Sequence, residues 1–354
     1  MSVRAAAPAL IAAILFGAST PLAKALTGSI PPLLLAGLLY LGSGFGLGLL
    51  LVLRRLAGKA RGQAEHLATI PRHELPWLFG AILAGGVAGP AFLMTGLVAT
   101  DAASASLLLN IEGVFTALIA WMVLKENADR KIVLGMVAIV AGGVLLSWQP
   151  AGAALSPGAL LIAAACICWA VDNNLTRKVS ANDAVLIVCF KGLVAGVCNT
   201  AFALIAGVKL PGAVLLVSAM VVGFAGNGLS LALFVVALRH LGTARTGAYF
   251  SVAPLFGVII SFALWPQMPN ILFWLAFVLM ALGVWLHLRE RHEHTHEAQE
   301  HTHRHRHDEH HQHVHEFDWD GQEPHTHPHR HAPITHTHAH FPDIHHRHPH
   351  QKSQ

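Results

Sequence analysis

Apolar stretches of about twenty residues recur along the first 288 positions of this 354-residue chain, and short polar segments separate them. An α-helix of ~20 apolar residues crosses the ~30 Å hydrocarbon core of a bilayer. A hydropathy window of about 19 residues gives ten candidate spans: 6–26, 31–53, 76–98, 102–124, 132–149, 157–176, 184–207, 212–237, 246–265 and 270–288. The pattern therefore predicts an all-α polytopic membrane protein with ten transmembrane helices.

Composition agrees with this fold class. Hydrophobic residues make up 54% of the chain and charged residues 12%, which argues against a soluble two-domain protein. The cysteines all lie inside two of the predicted spans, so the disulfide framework of a small secreted domain does not fit; they are Cys166, Cys168, Cys189 and Cys198. We interpret them as small apolar packing residues and not as redox or metal ligands.

The distribution of positive charge predicts the orientation in the membrane. If the N-terminus is cytoplasmic, the inner loops carry fifteen lysines and arginines, whereas the outer loops carry only Lys209. Lysine and arginine are enriched in cytoplasmic loops of membrane proteins. We therefore expect a multi-pass protein of the inner (plasma) membrane with both termini in the cytoplasm.

The two halves of the hydrophobic region align with each other. The segment LFGASTPLAK (15–24) aligns with CWAVDNNLTR (168–177), and residues 97–119 align with residues 238–260. Few residues are identical, but hydropathy and order match along both alignments. The chain is therefore predicted to contain an internal repeat, with one five-helix copy in residues 1–149 and the other in 150–288.

An odd number of spans in each copy has a mechanical consequence. Five helices that enter on one side leave on the other, so the second copy must be inverted relative to the first. Inverted repeats are a recurring construction of secondary transporters, in which the substrate site lies near the bilayer midplane where the two halves meet. The repeat therefore favours a carrier.

Three segments resemble the EamA branch of the drug/metabolite transporter superfamily: FGAS (16–19), CWAVDNNLTRK (168–178) and NIEGVFTALIAWMVLKE (110–126). The resemblance covers about residues 6 to 288. It implies a ten-helix carrier of small organic metabolites, but it does not indicate which one. The family pattern has a Glu-Pro-like step in the fourth helix of each half; here the first half has Glu112-Gly113 and the second has Ala253-Pro254.

Glu112 is the first candidate for substrate or ion binding. It lies eleven residues after Asp101 and thirteen before Lys125, and is therefore predicted to lie near mid-membrane. Ionisable side chains inside hydrocarbon are costly, which makes them functional candidates. The carboxylate can carry a proton across, pair with an ammonium group of the substrate, or serve only as a hydrogen-bonded structural glutamate.

Asp172 and Lys191 are predicted to form an ion pair. Asp172 lies five residues before Arg177 and Lys191 lies eight after Asp183, in helices joined by a short inner loop. At ~1.5 Å per residue, the two charges lie at similar depths. We favour a structural pair, and the alternative is an inner gate that opens during the transport cycle.

Other polar residues and helix breakers complete the set of candidate transport residues. Lys24 lies at the outer end of the first helix and can reach the interface. Amides and the tyrosine can bind a polar substrate or hold helices together. Proline frees backbone carbonyls, so Gly89-Pro90 predicts a break in the third span. These candidates are Asn110, Asn173, Asn227, Tyr249 and Pro254.

The segment after residue 288 has a different composition. Residues 287–354 contain 23 of the 26 histidines together with eleven acidic residues, so residues 289–354 are predicted to be a disordered cytoplasmic tail. The spacing His-x-His places both imidazoles on one side of an extended chain, and neutral imidazole suits Zn, Ni, Co and Cu. The expected metal ligands are His292, His294, His296, His301, His303, His305, His307, His310, His311, His313 and His315.

These observations lead to one preferred function and two alternatives. We expect a secondary transporter that exports amino acids or related compounds and carries a metal-buffering or regulatory tail. The alternatives are a divalent-metal exporter loaded by the tail, and a non-transporting membrane metal sensor. Residues 6–286 contain only His66, His73 and His240, all in predicted inner loops, which disfavours metal as the cargo.

Other partners and activities are also predicted. No phosphate-binding glycine loop, nucleophile elbow or HExxH motif is present, so we expect neither an enzyme nor a required cofactor. The expected partners are a small-molecule substrate, the lipid bilayer and metal ions at the tail. We expect no nucleic-acid partner, and we keep a homodimer open.

Overall fold

The structure is a computed structural model. It describes residues 3–60, 71–124, 130–149, 154–179, 183–234, 236–237, 250, 252–266 and 269–288, and four segments of the tail at 292–296, 299–305, 325–331 and 334–338.

Helices dominate the described residues before the tail. The α-helices are α1 (Val3–Leu26), α2 (Pro32–Ala60), α3 (Leu75–Ala81), α4 (Gly89–Ala99), α5 (Ala102–Leu108), α6 (Ile111–Leu124), α7 (Arg130–Ser147), α8 (Pro157–Thr176), α9 (Ala184–Ile205), α10 (Ala213–Gly223), α11 (Ala253–Leu264) and α12 (Ile271–Leu288). Two π-helical segments, Ile82–Ala88 and Phe224–Leu229, continue α3 into α4 and extend α10. Short 3₁₀ segments lie at Arg72–Glu74 and Arg177–Val179.

The predicted spans coincide with apolar helices. Seven helices in the described part of the chain are long and apolar enough to cross a membrane: Ala7–Leu26, Pro32–Ala57, Arg72–Ala99, Ala102–Val123, Pro157–Thr176, Val185–Ile205 and Ala213–Phe234. Shorter apolar helices cover the other predicted spans at Val133–Ser147, Ala253–Leu264 and Ile271–Leu286. The chain is therefore a polytopic α-helical membrane protein.

Local side-chain chemistry explains where two helices begin. The Asp101 carboxylate accepts the Ser104 backbone N–H at 2.8 Å ahead of α5. The Asp183 carboxylate accepts the Val185 N–H at 2.9 Å ahead of α9. Each aspartate satisfies a donor that the first helical turn leaves unpaired.

Helix packing follows the same scheme in both halves. Helix α1 packs against α11, and its repeat counterpart α8 packs against α6. Helix α2 packs against its counterpart α9, and α7 against its counterpart α12. Exchanging the halves therefore preserves these neighbours.

The helix interruptions also lie at equivalent positions. The alignment that places residue 97 over residue 238 has an offset of 141, which carries 82–88 onto 223–229. The two π-helical segments, Ile82–Ala88 and Phe224–Leu229, match these two ranges to within one residue. The same offset carries Ile111, where α6 begins, onto Val252, the residue before α11. The internal alignment thus matches features of the backbone as well as hydropathy.

Glycines allow α2 and α9 to approach closely. A Cβ atom on Gly44 would lie 2.6 Å from Leu193 N, and one on Gly192 would lie 2.8 Å from Gly44 N. Contacts this short leave no room for a side chain. The glycine-rich run at 42–48 therefore serves close helix packing, which is typical of membrane interiors.

Gly44→Val is expected to destabilise the protein, because the added methyl groups would push α2 away from α9. Overpacking of this kind costs about 1–3 kcal/mol. We expect a Tm lower than that of the wild type when unfolding is followed in detergent. Gly113→Val is the matched control, since a Cβ at Gly113 has nothing within 4 Å; equal losses in both variants would contradict the packing argument.

Short strands are also present among the described residues. A short pair, β1 (Trp148–Gln149) and β2 (Ala154–Leu155), follows α7. In the tail, β3 (His292–His296) pairs antiparallel with β6 (Ile334–His338), and β4 (Gln299–His305) with β5 (His325–His331). Alternation with β-branched threonine favours extended backbone in these four segments.

Candidate functional site

The candidate site is centred on an interrupted helix. Helix α5 ends at Leu108 and α6 begins at Ile111, so the backbone turns at Leu109 and Asn110. The Asn110 side-chain amide donates to Leu107 O at 2.8 Å, and the Asn110 backbone N–H donates to the same carbonyl at 3.0 Å. Asn110 therefore supports the backbone that positions Glu112.

Glu112 lies in the first turn of α6, where the helix dipole favours a negative charge. Its Oε1 accepts a hydrogen bond from Asn173 Nδ2 on α8 at 2.8 Å. The same Nδ2 lies 3.4 Å from Thr116 Oγ1, one turn after Glu112. Glu112 is half-buried and Asn173 is exposed. Two of the predicted residues are thus brought together, and their hydrogen bond joins the first half of the chain to the second.

Asn174 adds a second link between α8 and α6. Its Nδ2 donates to Ala170 O at 2.8 Å within α8 and to Thr116 O at 3.4 Å on α6. The adjacent residues Asn173 and Asn174 therefore both bind the turn of α6 between Glu112 and Thr116. Thr116 was not among the sequence candidates, although its position four residues after Glu112 places it on the same helix face.

The predicted contact between Asp172 and Lys191 is confirmed. Lys191 Nζ lies 2.5 Å from Asp172 Oδ1 and 2.7 Å from Oδ2. Thr176 Oγ1 donates to Asp172 Oδ1 at 2.8 Å and accepts from Lys191 Nζ at 3.3 Å. The side chains of Asp172 and Lys191 are 10% and 14% exposed, so both charges are largely desolvated and depend on each other.

The Asp172 carboxylate packs against the first π-helical segment. A Cβ on Gly85 would overlap Asp172 Oδ2, so only glycine fits there. Tyr40 Oη and Trp169 Nε1 both donate to Gly85 O, each at 2.9 Å. Asn199 Nδ2 donates to Gly86 O at 3.2 Å.

Pro90 explains why these carbonyls need side-chain donors. Proline has no N–H, so the carbonyls four and five residues earlier, at Gly86 and Gly85, lose their helical partner. Tyr40, Trp169 and Asn199, from three other helices, supply the missing donors. At the predicted break at Gly89-Pro90, side chains of the protein thus satisfy the backbone carbonyls that the proline frees.

Lys24 contacts the end of a neighbouring helix. Its Nζ donates to Leu97 O, and to Val98 O at 3.2 Å, near the last turn of α4. A cation favours the negative end of the helix dipole. Lys24 therefore caps the C-terminal end of α4 and makes no hydrogen bond to Glu112 in the described part of the chain.

Other predicted residues lie elsewhere. Pro254 lies in the first turn of α11, and Asn227 is half-buried in the second π-helical segment. Tyr249 lies outside the described residues. So do His307, His310, His311, His313 and His315, whereas His292, His294, His296, His301, His303 and His305 lie on β3 and β4. Among the side chains that the structure describes, no group of three or more His, Cys, Asp or Glu residues is placed to hold a metal ion.

Comparison with known proteins identifies the family. The model of the EamA-like transporter family matches residues 4–148 and again residues 156–289. The chain belongs to the EamA-like transporter family.

Individual relatives agree with this EamA-like assignment. An uncharacterized transporter of Methanothermobacter thermautotrophicus is 28% identical over 288 residues, which cover 78% of this chain and 84% of that protein. The uncharacterized transporter YyaM of Bacillus subtilis is 26% identical over 187 residues, or 49% of this chain and 60% of that protein. A solved crystal structure shares the fold, with a TM-score of 0.56 and 20% identity over 81% of this chain and 96% of that chain.

The two EamA-like copies contribute unequally to the site. The first provides Glu112 and Thr116 on α6, and the second provides Asn173 and the Asp172–Lys191 pair on α8 and α9. Residues 172 and 173 are consecutive, so α8 contacts both the carboxylate at the helix interruption and the buried ion pair. Helix α8 is thus the element through which a change at Glu112 can reach the ion pair.

Proposed function

We propose that this protein is a secondary transporter of small organic metabolites, and that it exports amino acids or related amines with Glu112 as the substrate-binding carboxylate. The observation that carries the proposal is the 2.8 Å hydrogen bond between Glu112 and Asn173, which joins the two halves at an interrupted helix. Interrupted helices at the interface of inverted repeats are where secondary transporters bind their substrates.

The chemistry of Glu112 favours an ammonium-bearing substrate. A carboxylate that is accessible at membrane depth requires a cation, a proton or donors to offset its desolvation. Asn173 donates to only one of its oxygens. A substrate ammonium bound to Glu112 would compete with the Asn173 amide and so loosen the contact between the halves. Alternating access follows if α6 and α8 separate on one side and close on the other.

The Asp172–Lys191 pair acts, in this proposal, as part of the rigid second half. The two residues lie on α8 and α9, which are adjacent helices of the same copy. A rigid-body movement of one half against the other therefore does not require the pair to separate. The Asp172 side chain of the pair also packs against Gly85 of the first half, and this contact keeps α8 next to the π-helical segment. A gate at this position would instead need the pair to open in each cycle.

We also propose that the histidine-rich tail binds divalent transition metals between its strands. The strand register places histidine directly opposite histidine at five positions: His292 and His338, His294 and His336, His301 and His329, His303 and His327, and His305 and His325. Residues two apart in a strand share a face. Imidazole is a good ligand for Zn, Ni, Co and Cu. Each strand pair places histidines from two tail segments opposite each other, where they can share a metal ion.

The tail proposal predicts non-additive losses of metal. Substituting His301, His303 and His305 by Gln is expected to remove as many bound Zn ions as substituting His325, His327 and His329, because the two runs share sites. Combining both sets should remove no more than either one alone. The measurement is Zn titration of the purified full chain against a competing chelator. Additive losses would contradict shared sites between β4 and β5.

The transport proposal is tested by growth of cells that lack their own exporters. Cells expressing the full chain should tolerate toxic amino-acid analogues, and so should cells expressing a version that ends at Glu290. Tolerance of Zn, Ni, Co or Cu salts that requires both the tail and Glu112 would instead make metal the cargo. Analogue tolerance that is absent from both versions would overturn the proposed substrate class.

A further inference from the structure

A second candidate binding site lies at one end of the helix bundle. A cavity of about 600 Å³ opens where α1 and α4 end, α5 begins, α7 and α11 end, and α12 begins. The positive-inside rule predicts that these helix ends face the outside of the cell. The cavity volume is within the range of small-molecule sites, about 300–1,000 Å³.

The cavity wall carries one charge of each sign. Asp101 is exposed; its Oδ1 accepts the Ser104 N–H, and its Oδ2 accepts no hydrogen bond from the described residues. Lys24 donates to Leu97 O and Val98 O, and an ammonium group has three donors. One acceptor atom and one donor are therefore left for a ligand, and both side chains line the same cavity.

Aromatic side chains line another part of the cavity wall. Trp148 and Trp265 are 46% and 37% exposed, and both line the cavity with Phe262 and Phe273. The rings of Phe262 and Phe273 pack edge to face with centroids 5.6 Å apart. Such walls bind apolar groups, and exposed indole faces also attract cations.

We propose that this outer cavity binds a small zwitterion with an apolar body, such as a free apolar α-amino acid. Asp101 accepts the ligand's ammonium group, Lys24 donates to its carboxylate, and the aromatic wall packs against its side chain. The inference takes its ligand class from the proposed function, to which it adds a second binding site at the outer end of the path. A ligand with only one of the two charges would leave Asp101 or Lys24 without its partner.

Equilibrium dialysis with radiolabelled L-leucine tests this site on the purified full chain in detergent. Asp101→Asn is expected to weaken leucine binding about tenfold or more, since a charge-assisted hydrogen bond contributes about 1.5–3 kcal/mol. Asparagine caps a helix as well as aspartate does, so α5 is expected to remain folded. Lys24→Met should weaken binding as well, and 3-methylbutylamine and 4-methylpentanoate, each with one charge, should compete poorly.

Matched controls separate the cavity from general effects of charge. Asp183→Asn changes an equivalent helix cap that does not line the cavity, and Lys209→Met removes a lysine elsewhere in the chain; both should bind leucine as the wild type does. Wild-type affinity in Asp101→Asn, equal weakening in Asp183→Asn, or no saturable binding at all would overturn the inference.

The outer site and the transport proposal can fail separately. Leucine binding that depends on Glu112 but not on Asp101 would assign the ligand to the interrupted helix and overturn the outer site alone. Binding that depends on Asp101, in a chain that transports no amino acid, would support the outer site and overturn the proposed transport function.

Discussion

Glu112→Gln is expected to slow amino-acid transport at least about fivefold while the chain remains folded and inserted. Glutamine preserves the size of the side chain and an oxygen that can accept from Asn173, but it removes the negative charge that would bind a substrate ammonium group. A charge-assisted hydrogen bond is stronger than a neutral one by about 1 kcal/mol or more, and about 1.4 kcal/mol changes affinity tenfold. The measurement is initial efflux of labelled substrate, compared at equal amounts of protein in the membrane.

Gly113→Ala is the matched control for Glu112→Gln. It lies in the same helical turn, and its added Cβ would have nothing within 4 Å, so transport should stay near the wild-type rate. Glu112→Gln that loses only pH-gradient-driven transport, and retains exchange of substrate, would make Glu112 a proton carrier. Wild-type efflux in Glu112→Gln would contradict both roles.

Asp172→Asn and Lys191→Met are each expected to destabilise the protein strongly, and the double variant is expected to recover most of the loss. Removing one partner of a buried ion pair leaves the other charge uncompensated, at a cost of about 3–5 kcal/mol. Both side chains are less than one-sixth exposed, so solvent offers little compensation. Unfolding in detergent, followed by the Tm of the single and double variants, measures the coupling between the two residues.

Transport by the double variant distinguishes a structural pair from a gate. Near-normal transport in folded Asp172→Asn/Lys191→Met chains is expected if the pair only stabilises α8 against α9. A folded double variant without transport would assign the pair to the transport cycle. Equal Tm values in all four proteins would contradict the structural role that its burial implies.

The sequence pattern predicted contacts well where helix geometry largely determines them. Asp172 and Lys191 were predicted at similar depths from the rise per residue, and their pairing required in addition that the two helix faces meet. The position of the spans followed from hydropathy for the same reason, since bilayer thickness sets their length. The partner of Glu112 was not predicted, because the contact between α6 and α8 depends on packing between elements that are about 60 residues apart in the chain.

The sequence pattern did not predict two sets of contacts, one at the π-helical segment and one in the tail. Gly89-Pro90 indicated a helix interruption, but the sequence did not indicate that Tyr40, Trp169 and Asn199 would satisfy the freed carbonyls of the π-helical segment. In the tail, low apolar content predicted disorder, and the sequence did not indicate the pairing between the four described segments. That prediction considered burial alone and not the pairing of two similar histidine–threonine segments.

Counterflow in proteoliposomes tests whether this protein carries amino acids with Glu112 as the binding carboxylate. Vesicles that contain the purified full chain are loaded with an unlabelled neutral amino acid, and uptake of the labelled compound is measured. We predict trans-stimulated uptake that persists when the chain ends at Glu290 and is lost in Glu112→Gln. Absence of counterflow for every neutral amino acid, together with uptake of Zn that requires the tail, would contradict the account.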